Sequence, residues 1–224
     1  MNRLYHFPLS PFSRKVRLSL AEKKIEVELV EERYWEQDVD FLRRNPAGKV
    51  PILKMGNRTF ADSTAICEYL EEAFPTPALL PKTAEDRHEV RRLVGWFDDK
   101  CHAEGTSKLV GERVFRKVMG TGYPDSTNVK AGSRAIKYHL DYMAALLDQR
   151  RWLAGNDMSL ADFAAAATWF DQALAREEME QRERYLSMLI DNVIDAIIII
   201  DARGIIETFN HAAEQIFGYS SAEV

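Results

Sequence analysis

Residues 75–82, PTPALLPK, separate two kinds of hydrophobic pattern in this chain. A segment so rich in proline continues neither a helix nor a central strand, so the chain must change architecture there. Before it, short elements alternate. RLYHF at 3–7, closed by Pro8, reads as a strand, and Phe12, Val16 and Leu20 then recur at helical spacing among Arg14, Lys15, Arg17, Lys23 and Lys24. VELV at 27–30 is a second strand, 38–43 a short helix, and Asn45-Pro46-Ala47-Gly48 a turn. VPILKM at 50–55 is a third strand, turned at Asn57-Arg58 into Thr59-Phe60-Ala61, and a helix starts at Ser63. The order βαβαββα predicts a small α/β domain with a mixed sheet.

After the connector the period lengthens. Val90, Leu93, Val94, Phe97 and Cys101 mark one helical face, and Ile136, Leu140, Met143 and Leu147 mark another, with GTGYPDST at 120–127 as the loop between them. MSLADF at 158–163 is a helix start. Ser159 can cap the amide of Asp162 while Asp162 reaches back, and Met158 and Phe163 are placed as a staple.

Past Asp171 the character changes again. Residues 175–184 hold almost nothing to bury, and Glu178–Arg182 and Glu180–Arg184 are spaced as pairs on a solvated helix. Leu186, Leu189, Ile190 and Val193 restore an apolar stripe. AIIII at 196–200 and IIETF at 205–209 read as strands joined by Asp201-Ala202-Arg203-Gly204, and Asn210 can cap a following helix.

Composition narrows the function classes. The net charge of −5 argues against indiscriminate nucleic-acid binding. Cys67 and Cys101 lack CxxC spacing, which suits a reducing compartment and no disulfide framework. MNRLYHFPLSPFSRK lacks the apolar core of a signal peptide, and no apolar run is long enough to span a bilayer. A cytoplasmic globular protein is expected, with no membrane or nucleic-acid partner. His6, His88, His102, His139 and His211 show no metal-ligand spacing, so no metal site is expected. Locally the balance reverses: 108–137 holds Lys108, Arg113, Arg116, Lys117, Lys130, Arg134 and Lys137 against only Glu112 and Asp125. That excess suits an acidic partner, or else a solvated helical face. Tyr34-Trp35, outside any periodic pattern, is either an interface anchor or a packing pair.

Three short motifs carry candidate chemistry. SPFSRKVR at 10–17 sets a hydroxyl, Ser10, at a helix N-terminus just after a strand, where free amides favour an anion. Ser10 either caps that helix or donates to a bound thiolate. Gly48-Lys49-Val50-Pro51 opens a strand with proline; a cis bond there would turn Val50's backbone toward a peptide-like ligand, and a plain turn is the alternative. Asp62-Ser63 stands at another helix N-terminus, able to hold an amine and a carboxylate or merely to cap.

In this order, SPFSRKVR, NPAGKVPIL, ADSTAICEYL and SLADF resemble the glutathione S-transferase family. The resemblance implies an α/β thioredoxin-like domain over 1–76 and an all-α C-terminal domain over 84–168, cut short of the family's full helical set. It implies Ser10 as the serine that stabilises a glutathione thiolate. Phe12, Lys49, Val50, Pro51, Asp62 and Ser63 would form the glutathione site, although Glu or Gln is commoner than Asp62 there. Glutathione is then the expected ligand or substrate, and a homodimer through the fold the expected assembly.

EVELVEERYWE (26–36), EVRRLVGWFDDK (89–100), GYPDSTNVK (122–130) and HLDYMAALLDQRRWLAGNDMSLADFAAAA (139–167) resemble a division-associated branch of that family. That likeness implies binding to the tubulin homologue FtsZ, with the fold serving as an adaptor rather than a detoxifying enzyme. Trp35, Arg113, Arg116, Lys117, Lys130, Arg134 and Lys137 are then the partner-binding candidates. A glutathione-dependent transferase is the alternative.

RERYLSMLIDNVIDAIIIIDARGIIETFNHAAEQIFGYSSAEV (182–224) is similar to the opening of a PAS domain. The resemblance implies a helical linker over 169–190 and an incomplete α+β PAS segment over 191–224, with the seam between Ala167 and Asp171. With its cavity-forming strands missing, no haem or flavin site is assignable, and 175–224 is expected to pack poorly. A fragment of a sensory signalling protein is the third reading.

Overall fold

In the computed structural model, which describes residues 1–168, 198–200, 206–209 and 214, the chain divides into two compact units, Met1–Ala175 and Arg176–Val224. The first unit opens with β1 (Arg3–His6), α1 (Pro11–Glu22), β2 (Glu28–Glu31), a 3-10 turn (Tyr34–Glu36) and α2 (Val39–Arg44). β3 (Ile52–Met55), β4 (Arg58–Ala61) and α3 (Ser63–Ala73) follow. The sheet order is β2-β1-β3-β4, with β1 and β2 parallel and the other pairs antiparallel. Strand alternation gives each face its own core. Leu4 lies opposite Leu53, and both are buried with Val16 and Leu20 of α1 and Ile66 and Leu70 of α3. Tyr5 lies opposite Ile52 on the other face, where Phe7, Phe41 and Val50 complete a second, smaller cluster.

The β3–β4 turn falls one residue earlier than the pattern predicts. Met55 pairs with Arg58, leaving Gly56-Asn57 as the loop, and Gly56 takes φ +57°. A two-residue hairpin needs a positive φ at that position, which glycine supplies without steric cost.

The helical half begins with α4 (Ala84–Gly95), capped by Thr83. Its path continues without a break through widened, π-helical turns at Trp96–Thr106 and Gly111–Phe115, with α-helical turns at Ser107–Val110 and Arg116–Met119. It stops at Gly120, whose φ of +67° is left-handed. Asp125 caps α5 (Ser126–Leu147). The two long helices cross at glycines: a Cβ on Gly105 would lie 2.5 Å from Ile136 Cδ1, and one on Gly132 would lie 3.2 Å from the Gly105 carbonyl. On α5 the expected Ile136 and Met143 face inward, but Leu147 does not complete the stripe. His139 is buried and Leu146 packs into the core, while Leu147 is 45% exposed.

A helix over 160–168, here α6, starts at the expected capping box. Asp162 accepts from the Ser159 amide (2.9 Å), but Ser159 Oγ accepts from Ala161 rather than Asp162. Met158 and Phe163 both pack on the core.

Two ion pairs built on buried lysines tie these elements together. Lys23 Nζ donates to the Phe74 (2.7 Å) and Pro77 (2.8 Å) carbonyls and lies 2.7 Å from Glu71 Oε1, a charge contact rather than an aligned hydrogen bond. Glu71 Oε2 accepts from the Leu79 (2.9 Å) and Leu80 (3.1 Å) amides, so one carboxylate organises the proline-rich connector. Lys15 of α1 pairs with Asp98 and donates to Thr64 Oγ1 at 3.2 Å.

A third, more exposed cluster makes a pH-dependent contribution. Arg92 donates twice to Glu89 (2.8 and 2.9 Å) and Arg150 once (2.7 Å). The Arg92 bonds are the main cause holding the Glu89 carboxyl at about 2. A carboxylate depressed in the folded state stabilises fully above its unfolded value, ordinarily about 4.5, and loses that as pH falls toward 2. Glu89→Gln should therefore lower Tm at neutral pH, and the gap to the parent chain should close between those values. Thermal melts across that range check it, and a gap of constant size would refute it.

In the second unit, β5 (Ile198–Ile200) pairs antiparallel with β6 (Ile206–Phe209), in line with the two predicted strands. The expected linker and the expected helix after Asn210 lie outside the described residues, apart from helical Glu214.

Among the described residues no helix is long and apolar enough to cross a membrane, and none of their His, Cys, Asp and Glu side chains group as metal ligands.

Candidate functional site

Ser10 sits at the N-cap of α1, because Pro11 pre-sets the first helical φ and Ser10 stays extended. Its Oγ accepts from the Ser13 amide at 3.2 Å, which is the capping role. That bond uses a lone pair and leaves the hydroxyl proton to donate, so capping and holding a thiolate are compatible in one side chain. Ser13, which the sequence did not single out, is fully buried, and its Oγ accepts from the Phe7 amide at 3.4 Å. The Ser10 amide in turn donates to the Phe7 carbonyl at 3.0 Å. Phe7, Ser10 and Ser13 thus form one closed turn.

The Val50–Pro51 bond is cis. Asn45 Nδ2 donates to the Lys49 carbonyl at 2.8 Å, fixing the loop before it, while the Lys49 side chain is exposed. Asp62 caps α3, its Oδ1 accepting from the Thr64 (2.9 Å) and Ala65 (3.0 Å) amides. It does so with φ at +74°, a strained setting for a residue with a Cβ. Ser63 is buried as the first residue of α3. Phe12 points to the helical half, where the His102 ring meets it edge-on at 4.8 Å. Burial pushes the His102 pKa down, against the raising effect of Asp98 and Asp99.

Beside Lys15 lies a cavity of about 230 Å³, walled by Thr64, Cys67, Val94, Asp98 and Leu160. Burial lifts the Cys67 thiol to about 11 and the Cys101 thiol to about 12, so both behave as core residues.

Trp35 and the basic segment are brought close by an aromatic cluster. The Trp35 ring stands edge-on to Phe7 at 4.9 Å, and Phe115 of the long helix reaches the same Phe7 ring at 6.0 Å. Arg113 is only part-buried, and Lys117, Lys130, Arg134 and Lys137 are exposed. Arg116 is engaged internally: it pairs with the buried Glu112 at 2.6 Å and donates to the Tyr123 carbonyl. Tyr123 itself is 92% exposed at the tip of the loop before α5.

A four-stranded mixed sheet, a cis-proline loop and a serine-capped α1, followed by long helices and a capping box, define a known class. The family models agree: "Glutathione S-transferase, N-terminal domain" matches residues 4–78 and "Glutathione S-transferase, C-terminal domain" matches 100–185. The chain belongs to the glutathione S-transferase family. Within it, the chain is 42% identical over 168 residues to FtsZ-localized protein A of Caulobacter vibrioides, covering 73% of this chain and 74% of that one. It is similar to the solved structure of FzlA from C. crescentus, with a TM-score of 0.73 and 40% identity over 76% of this chain and 77% of that one. A glutathione S-transferase from Rhodospirillum rubrum F11 has a TM-score of 0.77 and 43% identity, covering 84% and 87%. A "PAS fold" model matches 184–224, meeting the transferase match at its end.

Proposed function

We propose that this protein binds FtsZ and acts as a cell-division adaptor, its transferase fold serving as a binding module. The similarity to FtsZ-localized protein A supports the reading, and one observation carries it into this chain. Trp35 and Phe115, far apart in sequence, converge on Phe7, so an aromatic anchor stands beside the most basic part of an otherwise acidic protein. Part-buried aromatics next to a local excess of positive charge are what an acidic, partly apolar segment would recognise. The reading implies a cytoplasmic location, and it includes a homodimer through the transferase fold.

Co-sedimentation with assembled FtsZ at two salt concentrations tests it. Salt-sensitive pelleting is expected, weakened about tenfold by Arg113→Glu with Arg134→Glu through lost steering and contact charge. Ser10→Ala should leave it unchanged. Equal pelleting of the charge-reversed chain would refute the assignment of this surface. A second reading, a glutathione-dependent transferase, is supported by the free Ser10 proton at the N-terminus of α1. Turnover lost in Ser10→Ala would favour it.

A further inference from the structure

We propose that Trp35 and Phe115 are a shared cover: they close the cleft over Ser10 and Val50, and the same rings carry the docking surface, so a peptide thiol in the cleft and a partner on the surface compete. The partner side of this proposal rests on the docking reading above, and the cleft side on the glutathione reading.

The cleft residues are shut in. Ser10 is 6% exposed and Val50 8%, backbone included. Ser10 is held by its own turn, through Phe7, Ser13 and Arg14, so a ligand that pairs with Val50's backbone and accepts from Ser10 Oγ needs neighbouring groups to move. Val50 belongs to the small cluster with Phe7, Phe41 and Ile52, and Trp35, Tyr34 and Phe115 pack on that cluster from outside.

Phe7 joins the two regions. Its backbone is bonded into the Ser10–Ser13 turn, and its ring carries Trp35 at 4.9 Å and Phe115 at 6.0 Å. A second connection runs through Gln37. Its Nε2 donates to the Tyr34 carbonyl, beside Trp35, and to the Gly48 carbonyl at 3.0 Å, at the start of the cis-proline loop. Displacing that loop therefore disturbs the Trp35 turn.

Both covering rings sit on the least regular backbone nearby. Trp35 lies on a 3-10 turn with no side-chain cap, ended by Gln37 at φ +52°. Phe115 ends a π-helical stretch inside the continuous long helix. A short 3-10 turn has poorer hydrogen-bond geometry than an α-helix, so the Trp35 turn can shift while the sheet stays intact.

Glutathione titrated into the full chain, followed by tryptophan emission with Trp35→Phe as the subtraction control, tests the cover. Phe115→Ala should tighten glutathione binding about tenfold, because the closed population no longer has to be displaced. Should that variant lose its helical circular dichroism, Phe115→Leu is the substitute, with the same direction and a smaller change. Equal glutathione affinity in parent and variant, or none in a folded variant, overturns the proposal. Saturating glutathione should also weaken FtsZ binding by the factor by which FtsZ weakens glutathione binding. If the glutathione result holds and FtsZ does not pellet at all, the docking reading fails and the cover stands. If both ligands bind and neither affects the other, the competition is refuted.

Discussion

Glu71→Ala should destabilise the first unit by about 3–5 kcal/mol, the usual penalty for stranding one member of a buried ion pair. Glu71 and Lys23 have side chains 5% and 0% exposed, so water cannot replace the lost carboxylate. Two further groups lose their acceptor at once, the Leu79 and Leu80 amides of the connector. The Leu79 carbonyl accepts from the Leu160 amide at the start of α6, so slack there reaches the far end of the helical half. Urea unfolding measures the loss. Glu71→Gln should recover the amide bonds but not the charge, and should fall between parent and alanine variant. A loss under about 1 kcal/mol, the scale of an exposed pair, would show that Lys23 finds another partner.

Asp98→Ala should cost a similar amount, about 3–5 kcal/mol, for the same physical reason in a different place. Lys15 is 1% exposed and would keep only the Thr64 hydroxyl, itself a donor to Asp98 at 3.2 Å. The pair bridges α1, α3 and the first widened turn of the long helix, so its loss loosens the contact between the sheet and helical halves. The double change Lys15→Met with Asp98→Leu should be far milder than Asp98→Ala alone, because no charge is then left buried. A double variant no more stable than the single one would refute that account. Chemical denaturation of all three chains decides it.

Much of this architecture was readable because its signals are local. The succession of strands and helices follows from short apolar runs, and the serine at the start of α1 and the box at Ser159 follow from side chains that bond within three residues. Lys15 and Lys23 were not readable in the same way. Both look like members of a solvated basic face, and only the arrival of Asp98 and Glu71 from distant segments lets them be buried. The inward face of α5 departs from the aliphatic pattern where the aromatic His139 holds a central position against Trp96, and Leu146 rather than Leu147 packs below it. Nor does any spacing announce that Phe115 meets Phe7 and Trp35. That encounter depends on the widened backbone between Trp96 and Phe115, which periodicity at 3.6 residues per turn cannot register.

Those widened turns have a consequence best put in terms of phase. An α-helix advances about 100° per residue, so a long helix delivers each side chain in a direction fixed by its distance from the start. Each π turn accommodates more residues and delays that advance. Between Gly95 and Arg116 the helix passes through two such stretches, and the accumulated delay sets which way Phe115 faces while Phe97 and Cys101 still face the core. The helix is thus a rod with an adjustable twist, anchored at the Lys15 contact. A residue gained or lost between the anchor and Phe115 would leave every helical hydrogen bond replaceable, yet would turn the aromatic ring and its basic neighbours away from Trp35 together.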